Sequence, residues 1–283
     1  MNARNEAPAW VRYLVLLAAL GFVVVLLLLP AVNVLAQAFS KGVRAYLLAA
    51  ADPNTLHAVF LTSGVAAVAV AVNTVFGVAA SWAITKYEFW GKSLLVTLID
   101  LPFSVSPVVS GLIYVLTFGV ETTLGNWLDA HDIQILYAAP GIILATTFVT
   151  FPFVAREVMP VMEAVGSDQE EAALTLGASG WQTFWQITLP DIKWGVLYGV
   201  ILCGSRAMGE YGAVSVVSGR ITGKTDTMSL RVEKLYQEYQ TQAAFTVASL
   251  LLFLAFVTLA VKAAVEWRLR RALADAARKP EAA

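Results

Sequence analysis

The chain has 283 residues, of which 58% are hydrophobic and only 14% charged, and its mean hydropathy is +0.70. Because an ordinary soluble domain carries roughly 25% charged residues, this composition argues against a water-soluble globule. With 19 Lys and Arg against 20 Asp and Glu, the formal net charge is −1, so no basic surplus is present to bind the phosphates of a nucleic acid. One cysteine, Cys203, and two distant histidines, His57 and His131, make neither a disulfide nor a metal-ligand cluster. We expect no cofactor.

Six apolar stretches are long enough to cross a membrane as helices, each of which needs about 20 mostly apolar residues. They cover approximately residues 12–37, 56–84, 93–118, 135–158, 194–217 and 243–266. The first is interpreted as an uncleaved helix, because the apolar core of a signal peptide is only about 7 to 15 residues long. The sequence therefore predicts an all-α integral membrane protein with six transmembrane helices.

The distribution of Lys and Arg predicts the orientation of these helices. If both termini are cytoplasmic, the inside segments hold twelve basic residues and the outside segments six. No segment between spans is long enough for a soluble domain of about 50 residues. We therefore expect an N-terminal helix and outer loop in residues 1–55, a transmembrane core in 56–264 with a cytoplasmic loop in 160–193, and a cytoplasmic tail in 265–283, with lipid as a partner.

The predicted cytoplasmic loop has the pattern of two short helices. Ser167 and Glu170 fit a capping box that starts the first helix at Asp168, and Gly177 permits a turn. The second helix carries an apolar face and is predicted to end before Pro190. The residues of that face are Trp181, Phe184, Trp185 and Ile187. Two interpretations stay open: an anchor in the lipid headgroup region, or an element that docks into a groove of a soluble partner.

The spacing of Glu171-Ala172-Ala173, Gly177, Ile187 and Leu189-Pro190 resembles the EAA loop of ABC importer permeases. This resemblance implies the type I ABC importer permease fold, with six transmembrane helices and a coupling helix that sits in a cleft of a separate ATP-hydrolysing subunit. The residues that it assigns to ATPase docking are Glu171, Ala172, Gly177, Trp181, Ile187, Leu189 and Pro190. Residues 219–225 end like a phosphate-binding loop, but the spacing of their glycines is wrong. We therefore expect a non-enzymatic subunit without its own ATP site.

Residues 101–111, 206–213 and 232–236 resemble the oxyanion branch of this family, which includes sulfate/thiosulfate and molybdate permeases, and residues 239–269 are most similar to CysW-type subunits. The resemblance implies a bacterial inner-membrane permease subunit of an ATP-driven sulfate/thiosulfate importer. Its implied partners are a dimer of ATP-binding subunits, a periplasmic sulfate-binding protein, and a second permease subunit, either CysT-like or another copy of this chain. The alternatives are a molybdate/tungstate permease and a self-sufficient secondary anion carrier or channel. The EAA-like loop argues against a self-sufficient carrier or channel.

Charged and polar side chains inside the predicted spans are candidates for the substrate path. Arg206 lies in the fifth span, where an unpaired guanidinium is costly, and Glu210 follows one helical turn later. The pair is either a structural clamp between helices or a contact for a passing anion. In the third span, Ser104 and Ser106 lie between two prolines that interrupt the helix. This segment either lines the pore or forms a kinked, packed helix.

Overall fold

Helices account for every secondary-structure element in the part of the chain that the computed structural model describes, residues 9–278 for the backbone and 10–267 for side chains. The helices are α1 (Ala9–Val23), α2 (Leu29–Ala38), α3 (Val43–Ala50), α4 (Pro53–Lys86), α5 (Lys92–Ser104), α6 (Pro107–Phe118), α7 (Thr123–Ala130), α8 (Ala139–Val165), α9 (Asp168–Thr175), α10 (Gly180–Thr183), α11 (Leu189–Met208), α12 (Gly212–Val217), α13 (Met228–Gln237) and α14 (Thr241–Arg278). Two π-helical segments, Val24–Leu28 and Phe184–Thr188, connect α1 to α2 and α10 to α11. The predicted all-α fold is confirmed, and residues 1–8 and 279–283 of the predicted terminal segments lie outside the described part.

Five helical stretches among the described residues are long and apolar enough to cross a membrane. They are Trp10–Ala38, Pro53–Lys86, Ala139–Val165, Gly180–Met208 and Thr241–Trp267. The sixth predicted span, residues 93–118, is divided into α5 and α6, which meet at an angle of 108°. The prediction of six apolar spans therefore holds if this bent pair counts as one, but the third span is not a continuous helix.

The bend between α5 and α6 follows from the second of the two prolines in this region. Pro107 is the first residue of α6, and a proline disfavours the helical conformation in the residue before it. Ser106 accordingly has φ −59° and ψ 135°, outside the helical region. Pro102 lies inside α5 without ending it.

The predicted fifth span also differs from the structure at both of its ends. The helical stretch begins at Gly180 rather than after Pro190. The π-helical segment ends at Thr188 and leads directly into α11, and the N–H of Leu189 donates to the carbonyl of Phe184. Pro190 then occupies the first turn of α11, where the missing N–H is tolerated. At the other end, α11 stops at Met208 and the chain resumes as α12 only at Gly212.

The core of the molecule is formed where α4, α8 and α11 pack together. Glycines allow this close approach. A Cβ added to Gly77 would lie only 2.8 Å from an atom of Val154, and one added to Gly199 only 3.0 Å from the same residue. Gly195 also packs against α8, where an added Cβ would lie 3.0 Å from Val161. The first helix contrasts with this core, since none of the residues in its most apolar window is buried.

A buried amide connects the three core helices. The Asn73 side chain on α4 is fully buried, and its Nδ2 lies 2.8 Å from Thr150 Oγ1, 3.1 Å from the Thr147 carbonyl and 3.6 Å from Cys203 Sγ. Interhelical hydrogen bonds of this kind stabilise helix association in membranes. Cys203 is therefore a buried packing residue between these helices.

Candidate functional site

The predicted loop between the fourth and fifth spans is a compact turn of two helices, which we call the elbow (residues 166–190). The helix α9 ends in a Schellman motif, in which Gly177 N–H donates to the Leu174 carbonyl and Ala178 N–H to the Ala173 carbonyl, both at 3.0 Å. Gly177 has φ +90°, in the left-handed region that favours glycine. The glycine therefore makes the turn that the sequence predicted for it.

The capping box of the elbow lies in a different place from the predicted one. Ser167 precedes α9 but makes no side-chain capping bond. The reciprocal pair instead joins Ser179 and Gln182 at the start of α10, with distances of 2.8 Å and 3.3 Å. The prediction at Ser167 and Glu170 is wrong because the Glu170 carboxylate is engaged by other helices.

Glu170 fastens the elbow to the ends of two spanning helices. Its Oε2 lies 3.0 Å from Nζ of Lys86, the last residue of α4, and its Oε1 accepts a 2.6 Å hydrogen bond from Thr188. Lys86 also donates to the carbonyl of Gly166, at the end of α8. The three contacts connect the first helix of the elbow to the end of α4, to the turn that follows α8 and to the π-helical segment that precedes α11.

Aromatic rings continue this attachment. The centre of the Phe184 ring lies 5.4 Å from that of Trp82 on α4, and both rings pack against the core formed by α4, α8 and α11. Trp181 stacks on Phe184 and Trp185 meets it edge to face, and the two tryptophans keep 70% and 50% of their surface exposed. The elbow therefore has one side built into the membrane helices and another that presents uncovered indole rings.

The predicted docking residues divide between these two sides. Glu171, Ala172, Gly177, Trp181 and Pro190 are exposed. Ile187 is half-buried, and Leu189 is half-buried against the core of α4, α8 and α11. Two leucines that the EAA-like pattern did not include, Leu174 and Leu176, add apolar surface beside them, and Leu176 is 88% exposed.

The predicted substrate-path residues lie at two helix breaks that touch each other. Ser104 and Ser106 flank the break between α5 and α6, and both are exposed or half-exposed. Glu210 lies in the break between α11 and α12. The breaks are in contact because a Cβ on Gly212 would lie 2.9 Å from Pro107 Cβ, and one on Gly111 would lie 2.7 Å from the Ala213 carbonyl oxygen.

Arg206 and Glu210 form the ion pair that their spacing predicts. Arg206 Nη1 lies 2.5 Å from Glu210 Oε2, and the other carboxylate oxygen accepts a 2.9 Å hydrogen bond from the N–H of Ala213. Glu210 therefore spans the break, connecting α11 to the start of α12. Its side chain is 1% exposed, whereas that of Arg206 is 35% exposed, so the carboxylate is buried while the arginine side chain is only partly covered.

The end of the molecule opposite the elbow carries a second network of charges. Arg231 on α13 pairs at 3.1 Å with Asp52, which caps α4 by accepting the N–H of Thr55. Asp226 lies 3.8 Å from Arg231 and is only 2% exposed. Burial raises the pKa of the Asp226 carboxyl, while the positive charges of Arg231 and Lys234 act in the opposite direction.

Several residues of these sites carried no recognisable signal in the sequence. Lys86 and Asn73 make their contacts with residues far along the chain. A second arginine–carboxylate pair, Arg156 with Asp100, was also missed. The only signal at these positions is a charged or amide group within an apolar stretch, and such a group does not reveal which residue it contacts. Among the described residues, no group of three or more His, Cys, Asp or Glu side chains could hold a metal ion.

A helical membrane bundle with two broken helices and an attached elbow is the architecture of ABC importer permeases. The chain superimposes with a TM-score of 0.75 on a chain of a bacterial ABC transporter that imports the acidic polysaccharide alginate, over 93% of this chain and 96% of that one, at 17% identity. A structure of a bacterial alginate transporter in complex with its pentasaccharide-bound periplasmic protein gives the same TM-score at 18% identity. At these identities the comparison concerns the fold alone.

The sequence comparisons define the family. Residues 73–271 match the model of the binding-protein-dependent transport system inner membrane component, and the chain belongs to this family. It is 52% identical to the sulfate transport system permease protein CysW of Escherichia coli K12, over 86% of this chain and 84% of that protein. It is 51% identical to CysW of Synechocystis, over 91% of this chain and 94% of that protein. It is 38% identical to CysT of Escherichia coli K12, over 89% of this chain and 90% of that protein.

Proposed function

We propose that this chain is a permease subunit that imports sulfate or thiosulfate with energy from ATP hydrolysed by a separate subunit. The observation that carries this proposal is identity above 50% with proteins named as CysW sulfate permeases, over most of both chains. The lower identity with CysT supports assignment to the CysW-like member of a pair. A CysT-like second permease, rather than a second copy of this chain, then completes the pore.

In this proposal the elbow is the contact with a dimer of ATP-binding subunits. Its exposed residues Glu171, Trp181 and Leu176 offer the charged and apolar side chains that a groove on a partner can bind. The contacts of Glu170 with Lys86 and Thr188 carry the movement of the partner into α4 and α11. ATP then favours one orientation of the helices, and the loaded periplasmic sulfate-binding protein favours the same one from outside.

The substrate path passes the two touching helix breaks. Arg206 offers a sulfate oxygen charge-assisted N–H donors, and its ion pair with Glu210 limits the affinity so that the anion is released. Ser104 and Ser106 add hydroxyls at the opposite break. The ion pair also holds α11 to α12, so the structural and substrate roles are compatible in one group.

The membrane arrangement follows from the same proposal. The elbow, both termini and the tail after residue 265 lie on the cytoplasmic side of the bacterial inner membrane, and α13 lies on the periplasmic side. The transmembrane core comprises residues 56–264, as the apolar stretches of the sequence predict.

Purification of the assembled complex tests the proposal. An ATP-binding subunit and a CysT-like permease should co-purify with this chain, and reconstituted vesicles supplied with ATP and sulfate-binding protein should accumulate labelled sulfate. Excess thiosulfate should compete with sulfate more strongly than molybdate does. Uptake by this chain alone without ATP contradicts the proposal and supports a secondary carrier. Stronger competition by molybdate supports a molybdate permease.

The role of Arg206 is tested by Arg206→Gln in the same vesicles. Loss of uptake with normal subunit assembly supports the anion contact, while loss of assembly supports a clamp alone. Undiminished uptake with normal assembly contradicts both roles.

A further inference from the structure

A second arginine–carboxylate pair lies within the spanning helices and has no role in the function proposed above. Arg156 on α8 donates from Nε to Asp100 Oδ1 at 2.7 Å, and its Nη2 lies 2.5 Å from Asp100 Oδ2 on α5. This two-pronged contact occupies one edge of the guanidinium. The remaining edge, with Nη1, is available to another acceptor because a guanidinium has five N–H donors.

The surroundings of the pair are unusual for charged groups. The Arg156 side chain is 52% exposed and that of Asp100 is 30% exposed. Arg156 lies nine residues before Val165, the end of α8, which corresponds to about 13 Å along the helix. Charged side chains at such positions in a membrane face a water-filled cavity or the interior of a bundle rather than lipid.

The position of α8 in the bundle supports this orientation. Half of the residues in its most apolar window are buried, compared with at most 28% in the four other continuous spanning stretches. The helix is therefore the most enclosed of the five, and its few exposed positions include Arg156. An exposed arginine on a central helix is better placed to face a second subunit or a pore than to face lipid.

The depth of the pair relative to Arg206 follows from the packing of α8 on α11. Gly199 packs on Val154, and Cys203 Sγ donates to the Thr150 carbonyl at 3.7 Å, so the helices are antiparallel. This register places Arg156 level with residue 197 of α11. Arg206 lies nine residues further along, or about 13 Å towards the end opposite the elbow.

The two ion pairs share one further property. In each of them the arginine is more exposed than its carboxylate, 35% against 1% for Arg206 and Glu210 and 52% against 30% for Arg156 and Asp100. A pair that serves only to hold helices together has no need to expose its cation. Both arginine side chains are instead partly exposed, at two depths along the same pair of helices.

We propose that Arg156, held in position by Asp100, is a second contact for the translocated oxyanion, nearer the elbow than Arg206. This inference rests on the proposed function, because it assumes that an anion passes this chain. The guanidinium binds a tetrahedral dianion through its Nη1 edge, and the charge of Asp100 keeps the binding weak enough for release. Two shallow sites at different depths allow the anion to leave one as it reaches the other.

The main test is the double variant Asp100→Asn with Arg156→Gln, which removes both charges but leaves groups that can still hydrogen-bond between α5 and α8. We expect ATP-driven sulfate uptake in reconstituted vesicles to fall at least tenfold while the complex still assembles. Arg156→Lys, which keeps the charge but loses the planar fork, should give an intermediate rate. The control is Lys92→Gln, which breaks the Lys92–Glu88 pair at the start of α5 and should leave uptake unchanged.

Uptake by the double variant at the wild-type rate overturns the inference and leaves the pair as a clamp. Failure of the proposed function gives a different result, because the wild-type complex then accumulates neither sulfate nor thiosulfate in the same assay.

Thiol labelling distinguishes a water-filled path from lipid and does not depend on transport. In the variant Thr97→Cys, which places a thiol one helical turn before Asp100 on α5 and keeps Arg156, a membrane-impermeant maleimide should label residue 97 in inside-out vesicles. Sulfate at high concentration should slow this labelling, and adding Arg156→Gln should remove the effect of sulfate. The parent chain is the control, because its only cysteine, Cys203, is buried. If sulfate has no effect while anionic lipid in the vesicles slows the labelling, Arg156 binds lipid headgroups, and the proposed anion contact is wrong.

Discussion

Gly177 makes the turn at the centre of the elbow, and its replacement by alanine tests whether this turn must be kept for ATPase docking. Its φ of +90° is unfavourable for any residue with a Cβ, at a cost of about 1 to 2 kcal/mol. An added Cβ would meet no atom within 4 Å, so the substitution introduces backbone strain without a steric clash. The effect of Gly177→Ala therefore measures the backbone conformation alone.

The expected magnitude follows directly from this strain. If the partner binds only the native turn, the same strain of about 1 to 2 kcal/mol is lost from the binding free energy. This loss corresponds to an increase in Kd of roughly 5- to 30-fold. The assay is binding of the purified ATP-binding subunit to the detergent-solubilised permease, together with ATP-driven sulfate uptake. Gly177→Asp, which adds a charge, should abolish co-purification of the ATPase while the chain remains inserted.

The chain contains a closely matched control for this substitution. A Cβ added to Gly180, three residues later, would also meet no atom within 4 Å, but the φ of Gly180 is not positive and this glycine is the first residue of α10. Gly180→Ala should leave binding and uptake unchanged. Gly177→Asn should bind better than Gly177→Ala, because asparagine tolerates the left-handed region. Equal affinities for Gly177→Ala and Gly180→Ala refute the idea that docking requires this turn.

Three further substitutions address other parts of the structure. Lys86→Gln removes the cation that holds Glu170, and we expect several-fold less sulfate imported per ATP hydrolysed, measured in vesicles. Asn73→Ala removes the interhelical contacts of the buried amide, so the melting temperature should fall by roughly 2 to 8 °C. Burial raises the pKa of the Asp226 carboxyl in the folded state, so the folded state favours the protonated carboxyl. The stability that this carboxyl contributes at low pH is therefore lost as the pH rises through that pKa. Asp226→Asn should therefore match the wild type near pH 4 and exceed its melting temperature at pH 7.

Each of these predictions has a result that contradicts it. Unchanged coupling in Lys86→Gln means that the ion pair does not transmit movement. Exposed Asn126 on α7 is the control for Asn73, and an equal change in melting temperature for both alanine variants removes the special role of the buried amide. A melting-temperature difference between wild type and Asp226→Asn that stays constant from pH 4 to pH 7 excludes titration of this carboxyl as its cause.

The apolar stretches predicted the helical class and the number of spans because hydropathy reports on the surroundings of a segment. It does not report on the backbone within the segment, so the break between α11 and α12 was not predicted. In the third span the prolines were expected to interrupt the helix, but the sequence did not show which of them does. Pro102 and Pro107 look alike in the sequence, yet only Pro107 lies at a break. Pro190 was expected to end a helix but begins one, because the preceding π-helical segment alters the hydrogen-bond register.

The elbow shows the same limit at the level of individual side chains. Gly177 could be predicted because the Schellman turn depends on neighbouring residues only. The capping box at Ser167 and Glu170 was equally plausible as a local pattern, but Lys86, more than 80 positions away in the chain, takes the carboxylate. Competition between local and long-range partners is decided by the fold, so the sequence pattern alone could not identify the true box at Ser179.

The long-range contacts that the sequence did not reveal explain how the two ends of the molecule are connected. The helix α4 has 34 residues and is therefore about 50 Å long. One end is paired with α13 through Asp52 and Arg231, and the other end is paired with the elbow through Lys86 and Glu170. A continuous helix without an internal break resists bending, whereas α5–α6 and α11–α12 are interrupted where they touch. Under the proposed function, we therefore expect α4 to carry movement of the elbow to the opposite face, and the change in backbone direction that opens a path to occur at the two breaks.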